Sequence, residues 1–379
     1  MSGNQVQVHD QETDQLITID NPNFYGPAVS VQDTAYRDST CNITIGSQKP
    51  AAITFDYPAK PLDDYQLDMW TTIDEFENRA WSQKNSGLTS GFSGIDNAFD
   101  GGIYPGFTII AGDSNLGKTA LMSQLAWNIA TLNPNAYVMD FSLDDAMPDK
   151  LSRVAASSGK LIINAVKTPL NYMSYPLMLI RRKNAILNIR RNVDKYRAYD
   201  SRFSTFIEDI EEEIEKKLIE FDAKGLNKKL VVCIDNFHDM NVQGKSSMSD
   251  KEKYDMLAQW CSDLAIKHDI PIICSAELKK LNGNRRPILD DIREAVKIKY
   301  EAKAVLLVYN EVHYKGEGAD VFFMKNGVPF KQPIFEVHFA KNKFHTYKGR
   351  LFFEFYPEMA YMRECDPNAQ KTYTQLIFG

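Results

Sequence analysis

From Gly91 onward the chain alternates short apolar runs with amphipathic stretches, the pattern of a parallel sheet whose strands are buried on both faces and joined by helices. FTIIA (107–111), AYVMDFS (136–142), KLVVCID ending at Asp235, IPIICS (270–275) and KAVLLVY (303–309) are each too short and too apolar for anything but buried strand. Between them, KTALMSQLAWNIA sets Leu121, Met122, Leu125, Ala126 and Ile129 on one helical face. FIEDIEEEIEKKLIEFDAKG repeats Ile207, Ile210, Ile214, Leu218 and Phe221 against acids on the other face and closes at Gly225. A helix is predicted from near Pro148 to Gly159, proline at its start and glycine at its end, and another over about 254–268. Residues 160–200 are less regular and carry the basic clusters RRK and IRR. Towards the end, FEVHFAKN and RLFFEFY alternate apolar and polar residues, and VFFMKNGVPF holds an Asn326-Gly327 hairpin turn, which predicts antiparallel strands.

Residues 1–60 mix Asn, Gln, Asp, Ser, Thr and Pro with short apolar patches and no sustained period, so they read as an arm with little core of its own. In the linker 61–88, Leu67, Trp70, Ile73, Phe76 and Trp81 recur at helical spacing within 64–82. That amphipathic helix has polar sequence on both sides and needs a surface to dock on. Residues 89–379 form the main domain.

Composition narrows the class. At 379 residues and 44% hydrophobic the chain can bury a sizeable core, and a formal charge of −6 leaves any nucleic-acid contact to locally placed basic groups. Five scattered cysteines without a CxxC pair point to a reducing compartment and no zinc site. The polar start and the lack of a long apolar run predict a cytoplasmic protein without a membrane span.

Chemistry concentrates at strand ends. GDSNLGKT has the full spacing of a phosphate-binding loop: Gly112, then Asp113, Ser114, Asn115 and Leu116, then Gly117, Lys118 and Thr119. Backbone N–H groups must wrap the β-phosphate without intervening side chains, Lys118 must reach the β and γ oxygens, and the Thr119 hydroxyl must hold Mg²⁺. Asp235, ending an apolar strand, takes the place of a second magnesium-orienting carboxylate, or is a turn residue. In DFSLDD, Asp144 or Asp145 orients or deprotonates the attacking water, or caps the next helix. Lys279, Lys280, Arg285 and Arg286 around Gly283 form a basic loop suited to phosphodiesters, with Lys245 on the loop after Asp235. The alternative for both is a solvated surface loop.

The order of these pieces over about residues 88–365 resembles the RecA-type motor domain of the DnaB-like (superfamily 4) hexameric replicative helicases. GLTSGFSGIDNAFDGGIYPGFTIIAGDSNLGKTAL resembles that family's entry into its phosphate loop. FSLDDAMPDKLSRVAASSG resembles the segment with its catalytic glutamate, whose place Asp144 takes. The most specific stretch is RRPILDDIREAVKIKYEAKAVLLVYNEVHY, where Arg286, Pro287, Asp291, Arg293, Glu294, Ile298, Ala302 and Tyr309 match in spacing. FEVHFAKNKFHTYKGRLFFEFYPEMAYM resembles the family's last motif, in which a Lys-x-Arg pair reaches into the neighbouring subunit's nucleotide.

The resemblance implies an α/β RecA-like core with a mainly parallel sheet and a C-terminal antiparallel extension. It implies a ring, likened to a hexamer, with ATP and Mg²⁺ at subunit interfaces and single-stranded DNA as partner. Asp144 would be the base, and Lys341 and Lys343 would act in trans. It also gives the helix at 64–82 a neighbouring motor domain to pack on. Three residues depart from the pattern. Asp144 is one methylene shorter than glutamate, Glu277 stands where a Gln or His senses the γ-phosphate, and Lys343 replaces the finger arginine, with Arg350 a possible substitute. Two rivals follow: a recombinase- or clock-type RecA ATPase that does not unwind, and an assembly protein that binds nucleotide without turnover.

Overall fold

The computed structural model describes residues 87–379 apart from 246, 282, 294–296 and 379. Nearer the start it describes residues 5–10, 15–20, 29–32, 40–43, 54–55 and 73. The chain divides after Ser86 into two compact units. In the first unit, Gln5–Asp10 pairs antiparallel with Gln15–Asp20, and Val29–Gln32, Thr40–Ile43 and Thr54–Phe55 form a second antiparallel sheet. The sequence reading assigned no strands there. Apart from Ile73, the amphipathic helix expected at 64–82 lies outside the described residues, as does Glu294.

The second unit is built on one sheet. Its parallel strands are β1 Gly106–Gly112, β2 Ala136–Ser142, β3 Tyr196–Asp200, β4 Lys229–Asp235, β5 Pro271–Glu277 and β6 Ala304–Asn310. They lie in the order β3-β2-β4-β5-β1-β6. Strands β7 Phe322–Phe323, β8 Gln332–Asn342, β9 Arg350–Tyr356 and β10 Tyr361–Glu364 follow. β8 pairs antiparallel with β6, β9 with β8 and β10 with β9, while β7 lies against β8, which gives the expected antiparallel extension.

The helices are α1 Ser93–Ala98, α2 Lys118–Leu132, α3 Met147–Gly159, α4 Ile163–Lys167, α5 Pro176–Arg191, α6 Ile207–Ala223, α7 Asp250–Lys267, α8 Ile298–Glu301, α9 Glu311–Lys315 and α10 Pro367–Phe378. Successive strand residues point to opposite faces. Phe107, Ile109 and Ala111 therefore pack with Ile210 and Ile214 of α6 and Leu257 and Cys261 of α7. Ile110 packs on the other face with Leu121, Leu125 and Ile129 of α2 and Val154 of α3.

The register lines up the carboxyl ends of the central strands. Asp200 and Asp235 each stand opposite Ser142, and Glu277 stands opposite Gly112. Open α/β sheets offer ligands this edge.

Three local features differ from the sequence reading. Residues 160–200 are largely helical, but only Ala185 of α5 is buried, so that helix has no apolar stripe to read. α2 is buried nearly all round rather than on one face, because it lies between the sheet and the antiparallel extension. Asn326 and Gly327 do turn the chain, with Val328 N–H donating to Lys325 O at 3.0 Å and Gly327 at φ +79°. The turn sits in the loop 324–331 rather than directly joining two strands.

Candidate active site

The loop after β1 owes its shape to two glycines. Gly117 has φ +114°, and a Cβ there would lie 2.8 Å from Cε1 of Phe355. A Cβ on Gly112 would lie 2.3 Å from Cγ2 of Val308 on β6. Past Gly117 the chain enters α2, so the first backbone N–H groups of that helix are available to an anion. Lys118 is buried, and its Nζ donates to Gly112 O at 2.9 Å and Asp113 O at 2.8 Å.

The charges around Lys118 identify what converges there. Burial lowers its pKa, while Asp235, Glu277, Asp113 and Asp144, in that order of strength, oppose the shift. These four carboxylates are widely separated in sequence, Asp235 and Glu277 ending β4 and β5 and Asp113 and Asp144 just past β1 and β2, and the strand register gathers them. Asp235 is 5% exposed, and its Oδ1 accepts the hydroxyl of Ser275 on β5. Glu277 Oε2 pairs with Arg293 Nη1 at 3.2 Å, and its Oε1 lies 3.5 Å from the Ser114 hydroxyl. Thr119 is half-buried in the first turn of α2. Asp144 is exposed, whereas Asp145 is tied to Arg153 of α3, so the two acids of DFSLDD separate: Asp144 fronts the site and Asp145 braces its own helix. Asp239 is held above the usual carboxylate range by burial and then by the charges of Asp144, Glu277 and Asp235.

Sequence reasoning missed His238. The Glu277 N–H donates to its Nδ1 at 3.2 Å, and its Nε2 lies 3.3 Å from Arg293 O, a geometry that fits a neutral ring with the proton on Nε2. Burial lowers its pKa to about 4. The signal was present, since a histidine three residues past the strand-ending Asp235 falls on the same sheet edge. Also unforeseen is a cleft of about 620 Å³ beside the phosphate loop, lined among others by Asn115, His313, Phe330, Gln332 and Phe355.

The antiparallel pair places Lys341 and Lys343 elsewhere. Lys341 stands opposite Val305, and Lys343 N–H donates to Lys303 O, whose own N–H donates to Phe107 O. Lys343 therefore lies at the amino end of β1, about 16 Å along the strand from Gly112 at roughly 3.3 Å per residue. Lys341 Nζ donates to the carbonyls of Lys299 and Tyr300, while Lys343 is exposed. Arg350, the alternative to Lys343, lies at the start of β9. It is only 10% exposed along its side chain, and its Nη1 lies 3.6 Å from the fully buried Glu336.

The basic loop also divides. Arg286 Nε and Nη2 donate to Glu336 at 2.8 and 2.7 Å, and its guanidinium lies over Tyr309. Arg285 is bidentate to Asp291 at 2.6 Å on both arms. Both arginines are committed to carboxylates of their own chain and anchor the loop. Lys245, Lys279 and Lys280 are exposed on the loops after β4 and β5.

Comparison with known proteins agrees with this geometry. The model of the DnaB-like helicase C-terminal domain matches residues 87–359, most of the chain. The chain belongs to that family. Relatives include a probable replicative DNA helicase of Trieres chinensis, 26% identical over 233 residues, covering 60% of this chain and 48% of the relative. The replicative DNA helicase DnaB of Geobacillus stearothermophilus is 22% identical over 262 residues, covering 67% and 54%. The chain thus spans about half the length of these relatives. Among solved structures, one described as an ATPase domain matches with a TM-score of 0.66 at 19% identity, over 80% of this chain and all of that one. A DnaB-like replicative helicase, described with its interactions with primase, matches with a TM-score of 0.64 at 19% identity, over 83% and 68%. The second unit of this DnaB-like chain therefore has the RecA-like ATPase fold, and membership of the family implies nucleotide binding. No described helix is long and apolar enough to cross a membrane.

Proposed function

We propose that this DnaB-like chain is an ATP-driven motor that moves along single-stranded DNA and separates strands in replication, working as a ring, most simply a hexamer, with nucleotide between subunits. The observation that carries the reading is the gathering of Asp113, Asp144, Asp235 and Glu277 around Lys118 at one sheet edge, beside the phosphate loop. The loop amides and Lys118 hold the phosphates of ATP, and the cleft at Phe330 and Phe355 takes the nucleoside. The Thr119 hydroxyl and the Asp235 carboxylate form a hard oxygen donor set that suits Mg²⁺, with Ser275 fixing one Asp235 oxygen. When bound, the ion neutralises charge developing between the β- and γ-phosphates.

Asp144, exposed at the mouth of the site, orients the attacking water and takes its proton. Lys343 of a neighbouring copy supplies a cation to the γ-phosphate, with Lys341 shaping the strand end that presents it. Lys245, Lys279 and Lys280 contact DNA through its phosphates. A primase is a candidate partner because the matching DnaB-like helicase structure is described with one.

The test is ATP hydrolysis with and without single-stranded DNA, beside Lys118→Ala. DNA-stimulated turnover that falls at least about 10³-fold in the variant is expected. ATP binding without turnover under either condition would contradict the motor reading. It would favour a nucleotide-dependent scaffold, a role to which the Glu277 carboxylate in place of a neutral sensor lends itself.

A further inference from the structure

Asp140 and Lys150 are both 0% exposed, with Lys150 Nζ 3.0 Å from Asp140 Oδ1. Neither atom makes a hydrogen bond to any other described residue. The second carboxylate oxygen accepts the Tyr196 hydroxyl at 2.6 Å. The surroundings are apolar: Val138, Val154, Val231 and Trp127 belong to the same packed cluster as Tyr196, whose ring meets Trp127 edge-on. Burial works to lower the Lys150 pKa, but the charges of Asp140 and then Asp235 outweigh it and the net shift is upward. A buried ion pair of this kind is seldom the most stable filling for its space, since well-packed apolar side chains do as well or better. What it supplies is a fixed register between the two elements that carry it.

Those elements bracket Asp144. Asp140 lies two residues before the end of β2, Lys150 lies in the first turn of α3, and the residues between them form the loop in which Asp144 stands. The loop is tied to the neighbouring strand ends as well. Leu143 N–H donates to Asp235 O at 2.6 Å, and Met147 N–H donates to Asp200 Oδ2 at 2.8 Å. The buried pair closes the base of this frame. We propose that Lys150 and Asp140, locked by Tyr196, are positioning residues that draw the start of α3 onto β2 and so set the Asp144 carboxylate for reaction. Asp144 has one methylene less reach than a glutamate would have, so placement of its backbone matters correspondingly more. The inference rests on the reading of Asp144 as the base.

The test replaces the whole cluster with apolar residues, Asp140→Leu, Lys150→Met and Tyr196→Phe together, in the full chain. The triple variant is expected to keep the wild-type melting temperature or exceed it and to keep KM for ATP within about twofold, while kcat falls roughly 10-fold, as misplacement by a fraction of an ångström does. Adding Asp144→Glu to the triple variant is expected to recover much of kcat, because the longer side chain spans the lost placement, an effect a purely structural role would not produce. Tyr196→Phe alone, which removes one hydroxyl, covers the case in which the triple variant does not fold, and is expected to lower kcat about threefold at unchanged KM. A stable triple variant with wild-type kcat, or a Tyr196→Phe enzyme with wild-type kcat where only that variant folds, overturns the inference. Asp144→Asn in the wild-type background separates the two failures. If it is inactive while the triple variant is fully active, only the positioning role falls; if it hydrolyses ATP normally, the assignment of Asp144 falls and this inference with it.

Discussion

At the carboxyl edge of the parallel strands, Asp113, Asp144, Asp235 and Glu277 surround the single ammonium of Lys118; at the amino edge, the end of β8 carries Lys341 and the exposed Lys343. The first group has carboxylates and the loop amides, with its cations already engaged, Lys118 by the carbonyls of Gly112 and Asp113 and Arg293 by Glu277. The second has the cation and no site of its own. The distance along β1 prevents them from meeting within one chain. In the proposed ring such a surface would be completed head-to-tail, one copy's amino edge against the next copy's carboxyl edge, by a heterologous contact that closes on itself.

The sharpest way to break the comparison is to remove the outlying cation. Lys343→Ala is expected to lower kcat by roughly 10²-fold while ATP affinity stays within about twofold, since the cation acts on charge that develops in the transition state. Stopped-flow binding beside steady-state turnover reads both. Lys341→Ala should also cost thermal stability, because its Nζ holds the carbonyls of Lys299 and Tyr300. An equal loss of affinity and kcat in Lys343→Ala would mean a ground-state role.

The next largest effect separates anchors from contacts on the basic loop. Arg286→Ala leaves Glu336 buried beside Glu311 with only the longer approach of Arg350 at 3.6 Å, and is expected to cost about 3 kcal/mol in denaturant unfolding, the lower end for breaking a buried pair. Lys280→Ala should leave stability alone and weaken single-stranded DNA binding, with a salt slope shallower by about 0.7. The reverse pattern would make Arg286 the DNA contact.

The smallest effect is one of pH. His238 and His338 are both held near pKa 4, chiefly by burial, against 6.5 for the free side chain. The unfolded chain therefore takes up protons between pH 6.5 and 4 that the folded chain refuses. Stability from these neutral rings is present in full above pH 6.5 and is lost as pH falls toward 4. The melting temperature should drop over that window, and less so in His238→Gln, which keeps an acceptor for the Glu277 N–H. An unchanged drop would show that other groups carry it.

Much of the parallel half was legible because buried strands advertise themselves. AYVMDFS and KLVVCID appear in the structure with the bounds read from sequence, since a strand covered on both faces reads as a nearly continuous apolar run. α6 was equally plain, its isoleucines spaced for one face. α5 was not, because its sixteen residues bury one alanine. At the site, the phosphate loop, Asp235 and Glu277 could be placed from their position after strands, and the register then explains why they meet. The partners of the loop arginines were not legible: sequence shows a charge run, but Arg285 meets Asp291 six residues on, and Arg286 meets Glu336 on β8, fifty residues away. The Asp140–Lys150 pair left a fainter trace, a lone aspartate inside an apolar strand, which signals a buried partner without naming it.

The most direct test of the shared site is to co-express Lys118→Ala and Lys343→Ala chains, each expected to be inactive alone, and to measure DNA-stimulated ATP hydrolysis of the mixed assembly. If the two edges of different copies build one site, random mixing leaves about a quarter of interfaces with both an intact loop and an intact lysine, and activity should return toward that fraction. A mixed assembly as inactive as its parents, beside an active wild type, would contradict the account and confine catalysis to a single chain.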